Sequence, residues 1–154
     1  MPSRYPCARG WRCSARTRRP PWSAASGLAD CVVRWLVDEC VKFVKREIRR
    51  GNKYDAIIMD PPSYGRGPDG EIWKLEQQLS QLLCDIGEIL SDNPLFFFLN
   101  SYTGGISPSS LNYMVNSCVG SKLKNGNIYT EEIGLKVTKR DIILPCGNTT
   151  IWTR

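Results

Sequence analysis

Histidine is absent from this 154-residue chain, which removes imidazole both as a general base and as a metal ligand. The seven cysteines, at positions 7, 13, 31, 40, 84, 118 and 146, do not compensate. Odd in number, scattered and without a CxxC pair, they fit neither a zinc site nor a disulfide framework, so no metal is expected. Nothing approaches the run of about eighteen apolar residues that a membrane span needs. The basic N-terminal residues are followed by no apolar core of a secretory signal. The expectation is a cytoplasmic protein with no membrane partner.

Acidic side chains are missing before Asp30, and the charge is correspondingly uneven. Of a formal net charge of +6, residues 1–30 carry six arginines (4, 9, 12, 16, 18 and 19) against Asp30 alone, while the remainder, with 15 basic and 14 acidic side chains, is nearly neutral. Residues 1–25 are rich in Arg, Pro, Ser and Trp and show neither a helical nor a strand period, which predicts a disordered or poorly packed segment. Such an Arg-rich, lysine-free stretch abutting a patterned sequence is what a coding region read in a shifted frame, or started at a wrong codon, produces. A transit peptide has the same composition. As a genuine arm it would bind RNA phosphates non-specifically. From residue 26 onward the chain has the length and apolar content of one domain with its own core.

The patterned part is organised around residues 53–68, KYDAIIMDPPSYGRGP. Residues 55–59 form an apolar run without alternation, which predicts a strand buried on both faces of a parallel sheet. Asp60-Pro61-Pro62 stops it. Two prolines cannot continue a ladder, and Pro61 biases Asp60 towards extended backbone, so the carboxylate is held at the strand's carboxyl end, where ligands of open α/β sheets bind. Tyr64 follows, and Gly65-Arg66-Gly67-Pro68 predicts a basic loop.

Around this centre the periods alternate. Residues 32–37 read as a strand, with Asp38 and Glu39 closing it, and 39–50 as a helix with positions 37, 41, 44 and 48 on one face, ended by Gly51. Residues 73–90 carry Leu75, Leu79, Leu82, Leu83, Ile86, Ile89 and Leu90 at helical spacing, and 95–99 (LFFFL) is the next buried strand. A right-handed βαβ step makes 55–59 and 95–99 parallel neighbours. Ser107 and Pro108 open a helix as N-cap and first residue, with Leu111, Met114, Val115 and Cys118 as its inner stripe. A strand over 128–137 and one or two more over 141–144 and 149–152, with no helix between them, predict an antiparallel hairpin.

Asp60-Pro61-Pro62-Ser63-Tyr64 after a buried strand resembles motif IV of class I S-adenosylmethionine-dependent methyltransferases. In its Asp-Pro-Pro-x-aromatic spacing it resembles the ribosomal-RNA large-subunit methyltransferase group. The resemblance covers residues 26–152. It implies an α/β, Rossmann-like sheet, mostly parallel with a C-terminal antiparallel hairpin and lacking the first two strands, so that 26–154 is a partial methyltransferase domain. It implies S-adenosyl-L-methionine as cofactor, RNA as partner, and Asp60, Pro61, Pro62 and Tyr64 as the catalytic turn. Tyr64, Arg66 and Asn100 would meet the substrate, and Asp38, Glu39 and Asp60 the donor.

The residue types suit that chemistry. An Asp oxygen and the Pro61 carbonyl accept hydrogen bonds from an exocyclic amine, an aromatic ring stacks on a base, and prolines bring no competing N–H. Cytosine-5 relatives place a nucleophilic cysteine after the strand matching 95–99, but here that position reads Leu99-Asn100-Ser101. Cys146, in the terminal hairpin, reads as structural. Transfer to a base nitrogen needs no covalent intermediate and fits a chain without imidazole. A non-catalytic Rossmann-like binding module and an inactive truncated fragment are the alternatives. The resemblance also implies a glycine-rich turn and an acidic strand end that would anchor the donor, yet before residue 31 there are only Gly10, Gly27 and Asp30. The 154-residue chain is therefore expected to bind S-adenosylmethionine no better than about millimolar, about 4 kcal/mol. Micromolar affinity in a calorimetric titration would show that the Arg-rich segment builds a donor site.

Overall fold

The computed structural model describes residues 36, 38–67 and 70–154. The segment 1–25 and nearly all of the strand expected over 32–37 lie outside the described residues. Among the described residues three helices and six strands follow in the order α1 (Cys40–Arg49), β1 (Ala56–Met59), β2 (Tyr64–Arg66), β3 (Ile72–Lys74), α2 (Leu75–Ile89), β4 (Phe96–Ser101), α3 (Pro108–Val119), β5 (Asn127–Lys136) and β6 (Ile143–Thr153). None of the described helices is long and apolar enough to cross a membrane.

The main sheet has the order β1-β4-β6-β5. β1 and β4 are parallel, with Ala56 opposite Phe96 and Met59 opposite Leu99. β6 runs antiparallel to both of its neighbours, so β1, β4 and β5 point one way and β6 alone the other. This is the mixed α/β sheet, mostly parallel with an antiparallel hairpin, that the sequence pattern predicts. The segments 141–144 and 149–152, read as one or two strands, form one, β6, which starts at Ile143. Pro145 is tolerated inside it because β6 has there run past the end of β4 and, among the described residues, pairs with β5 alone, an edge-like position.

The helices form one layer on one sheet face. All seven residues of the expected α2 stripe are buried, as are Leu111, Val115 and Val119 of α3 and Val44 of α1, and they close over Ile57, Met59, Phe97, Leu99 and Trp152. Burying this many aliphatic side chains, at about 1.5–3 kcal/mol each, is what holds the layers together. On the opposite face Ile58 is 51% exposed and Phe96 and Phe98 are half-buried, so β1 is covered on one side among the described residues, not on both.

Two element boundaries differ from the sequence reading. Ile72-Trp73-Lys74 is extended and α2 starts at Leu75, two residues later than the period suggests. The loop expected after Tyr64 is the antiparallel hairpin β2–β3, in which Tyr64 faces Lys74 and Arg66 faces Ile72. The end of α1, by contrast, follows the rule closely. Gly51, at φ +65°, donates to the Ile48 carbonyl and Asn52 to that of Glu47, the paired bonds of a Schellman cap.

α1 is fastened to the sheet by a carboxylate. Glu47 is 2% exposed and accepts from the Tyr54 hydroxyl (2.5 Å), the Asn52 amide (2.7 Å) and Arg50 (2.9 Å). Burial opposes its charged form, but the Tyr54, Asn52 and Arg50 donors outweigh it and hold the pKa below the ordinary 4.5. A depressed carboxylate contributes stability that is complete above its unfolded pKa and fades as pH falls through the lower folded value. Glu47→Gln should therefore cost about 1–3 kcal/mol at neutral pH, with the gap to the parent narrowing in acid. Equal urea midpoints for the two proteins at pH 7 would contradict this.

Candidate active site

The polar groups singled out from the sequence gather at one edge of the sheet because β1 and β4 are parallel and in register. Met59 pairs with Leu99, so Asp60 and Asn100, one step further on, stand level at the carboxyl ends of neighbouring strands. The period of two puts both on the face away from the helices. Pro61 is buried and fixes the turn. Two of the turn's carbonyls are already engaged, since the Trp73 indole N–H donates to Pro62 (2.6 Å) and the Leu75 N–H to Ser63 (3.0 Å). The Asp60 carboxylate and the Pro61 carbonyl have no hydrogen-bond partner among the described residues. Asn100 accepts from the Thr149 hydroxyl at 2.8 Å, which leaves its amide hydrogens available. The edge thus pairs an acceptor on β1 with a donor on β4, a combination suited to the edge of a planar heterocycle.

Tyr64 and Arg66 share one side of the β2–β3 hairpin. Arg66 donates through Nε to the Tyr64 hydroxyl at 3.0 Å, and Tyr64 remains 50% exposed. Trp73 fills the other side, against Gly65.

Asp38 and Glu39 lie at the start of α1, whose Lys42 pairs with Glu71, just before β3, at 3.3 Å. Glu39 is the helix N-cap, its two oxygens each accepting at 2.9 Å from the Val41 and Lys42 amides. Asp38 accepts from the Glu39 amide (2.9 Å) and is paired with Arg46. Each oxygen retains a lone pair, so an adenine amine fits at Asp38 or Glu39 only as an additional donor. No counterpart of the other donor anchors implied by the resemblance exists among the described residues.

Cys146 lies where β6 gains an extra residue opposite Ile133 and Gly134. It is half-buried, with its thiol donating to the Leu144 carbonyl at 3.4 Å. Its neighbour Gly147 packs so closely that a Cβ there would come within 2.2 Å of the Ser101 carbonyl oxygen.

A contact the sequence did not reveal steadies the loop after β4. Glu76, in the first turn of α2, accepts from the Thr103 hydroxyl (2.6 Å), and the same hydroxyl accepts from the Gly105 N–H (3.2 Å). The bond from Thr103 holds the Glu76 carboxyl below its ordinary range.

Solved structures with this arrangement are consistent in kind. At 29% sequence identity and a TM-score of 0.71, the chain matches a SAM-dependent methyltransferase from Agrobacterium tumefaciens over 85% of its own length and 43% of that chain. The chain carries the fold of S-adenosylmethionine-dependent methyltransferases. A methyltransferase structure complexed with SAH (18% identity, TM-score 0.57) and one assigned as a SAM-dependent methyltransferase from Streptococcus mutans (16%, 0.57) match over 85% and 86% of this chain and 34% of theirs. The chain spans less than half the length of these methyltransferases. No protein-family model and no curated protein matches it.

If the Thr103 bridge orders the carboxyl edge of the sheet, Thr103→Val should leave the fold intact but speed amide exchange at Gly105 several-fold. Unchanged exchange would make the bridge incidental.

Proposed function

We propose that this chain is the acceptor side of an S-adenosylmethionine-dependent RNA methyltransferase that transfers a methyl group to a base nitrogen. One observation carries the reading. At the carboxyl end of β1 the turn engages the Pro62 and Ser63 carbonyls internally while leaving the Asp60 carboxylate and the Pro61 carbonyl as acceptors. Two adjacent acceptors without a competing donor match the two hydrogens of an exocyclic amine.

When bound, the donor supplies an electrophilic methyl on a sulfonium. The chain's own groups do the rest by position. Asp60 and Pro61 hold the amine hydrogens and thereby aim its lone pair, the Asn100 amide offers a donor to a ring acceptor beside it, and Tyr64 offers a face for stacking. Orientation of this kind supplies much of the barrier reduction in a direct transfer, and Asp60 also counters the positive charge that develops on nitrogen as the bond forms. The proton leaves the nitrogen only after transfer, to Asp60 or to water. Nitrogen is favoured over carbon because Leu99-Asn100-Ser101 carries no thiol where the cytosine-5 relatives place theirs, and Cys146 has its thiol on a backbone carbonyl. Asp38 or Glu39 would hold the adenine amine of the donor.

In the parent enzyme from which residues 26–154 would derive, Asp60→Ala should lower turnover by about two orders of magnitude with little change in donor affinity, because the lost group acts on the acceptor. Turnover within a few-fold of the parent would reduce Asp60 to a strand terminator.

A further inference from the structure

β6 is eleven residues long, yet only its later part pairs with β4, whose last residue Ser101 faces Asn148. Residues 143–147 continue past the carboxyl end of β4 with β5 as their strand partner among the described residues, an arm of about 16 Å at the usual rise. It projects at the edge that carries Asp60 and Asn100.

The faces of the arm can be traced across the sheet. Phe98 pairs with Ile58 and Ile151, and Ile151 with Tyr129, so odd-numbered positions of β5 lie on the face away from the helices. Leu135 faces Leu144, and the Val137 N–H reaches the Ile142 carbonyl at 3.1 Å. Leu135, Val137, Ile142 and Leu144 therefore make one aliphatic face, on the same side of the sheet as Asp60 and Asn100. Leu135, Ile142 and Leu144 are 65%, 53% and 57% exposed. The tip carries Lys136, Lys139 and Arg140, all exposed, against one acid, Asp141, whose carboxylate is 3.9 Å from Lys136. Addition of another strand to the outer edge of β5 is discouraged by the exposed charges of Glu131 and Glu132, side chains of the kind that blunt sheet edges.

We propose that this arm is the second wall of the acceptor site and binds an unpaired RNA strand, its aliphatic face lying against a base and its tip cations against phosphates. This rests on the RNA reading above and adds to it the contact surface and the single-stranded form of the substrate. β1 and β6 are two strand spacings apart, about 10 Å, so the Asp60 turn and the arm stand on either side of the end of β4. Apolar and aromatic side chains on either side of an extruded base are the usual means of holding it, and recognition of RNA by sequence mostly targets unpaired segments.

The test is binding of a fluorescent unpaired RNA oligonucleotide, and of the same oligonucleotide in a duplex, to the full 154-residue chain. It is paired with photo-crosslinking of a 4-thiouridine version and mapping by mass spectrometry. The unpaired form should bind about tenfold tighter. A Lys136→Ala/Lys139→Ala/Arg140→Ala variant should lose about tenfold and lower the salt slope by about 2, and crosslinks should fall on the arm. Unchanged affinity in that variant, or crosslinks confined to residues 1–35, would overturn the proposal. Self-association abolished by Leu135→Ser/Leu144→Ser, without arm-dependent RNA binding, would assign the face to a second copy and overturn it too. Since the readout is binding, a chain that holds RNA through the arm but whose parent methylates none would sink the transfer reading and leave this one standing.

Discussion

The parallel ladder between Ala56–Met59 and Phe96–Leu99 is the constraint on which the rest depends. It is only four residue pairs long, but a slip of one residue would turn Ile57, Met59, Phe97 and Leu99 out of the helix-covered core and move Asp60 away from Asn100 at the same stroke. The apolar side chains that stabilise the register are thus the agents that align the polar groups beyond it. Tyr54 reinforces the start of the ladder from below: its N–H donates to Ile89, its carbonyl accepts from Ser91, and its hydroxyl reaches Glu47. One residue therefore joins α1, β1 and the turn into β4.

The division of labour between the two sheet faces follows from the same register. The helix side is sealed by leucines, isoleucines and valines, and its polar exceptions, such as Ser101 and Thr150, lie near the strand ends. The other side carries Ile58, Tyr129 and Leu135 in view of solvent together with Asp60 and Asn100. Polar groups and exposed apolar surface share that face, which is where an extended ligand or further polypeptide would find both a polar edge and area to bury.

Much of this was legible from residue order. The α2 stripe, the Ser107-Pro108 start of α3 and the glycine at the end of α1 are local signals, each set by bonding or burial within one or two turns, and each holds. The parallel pairing followed from the handedness of a βαβ step. What could not be read is non-local. That Ile58 lies open depends on what covers the sheet, not on its own apolarity. That Trp73 is extended rather than helical depends on its bonding back to Pro62, eleven residues away. The Glu76–Thr103 bridge joins residues 27 apart, with no pattern to announce it. Of the site residues, Asp60 and Asn100 come together as the register requires. Asp38 and Glu39 serve the N-terminus of α1, which the motif alone does not reveal.

The bond from Trp73 to the Pro62 carbonyl also gives the turn an optical reporter. Trp152 is fully buried and emits from a fixed apolar setting, whereas the half-buried Trp73 indole is attached to the backbone that presents Asp60. Any ligand that shifts this turn changes the polarity and hydrogen bonding around that indole first. With Trp11, Trp22 and Trp35 replaced by Phe, the intrinsic fluorescence of Trp73 therefore follows the geometry of the Asp60 turn, without a label.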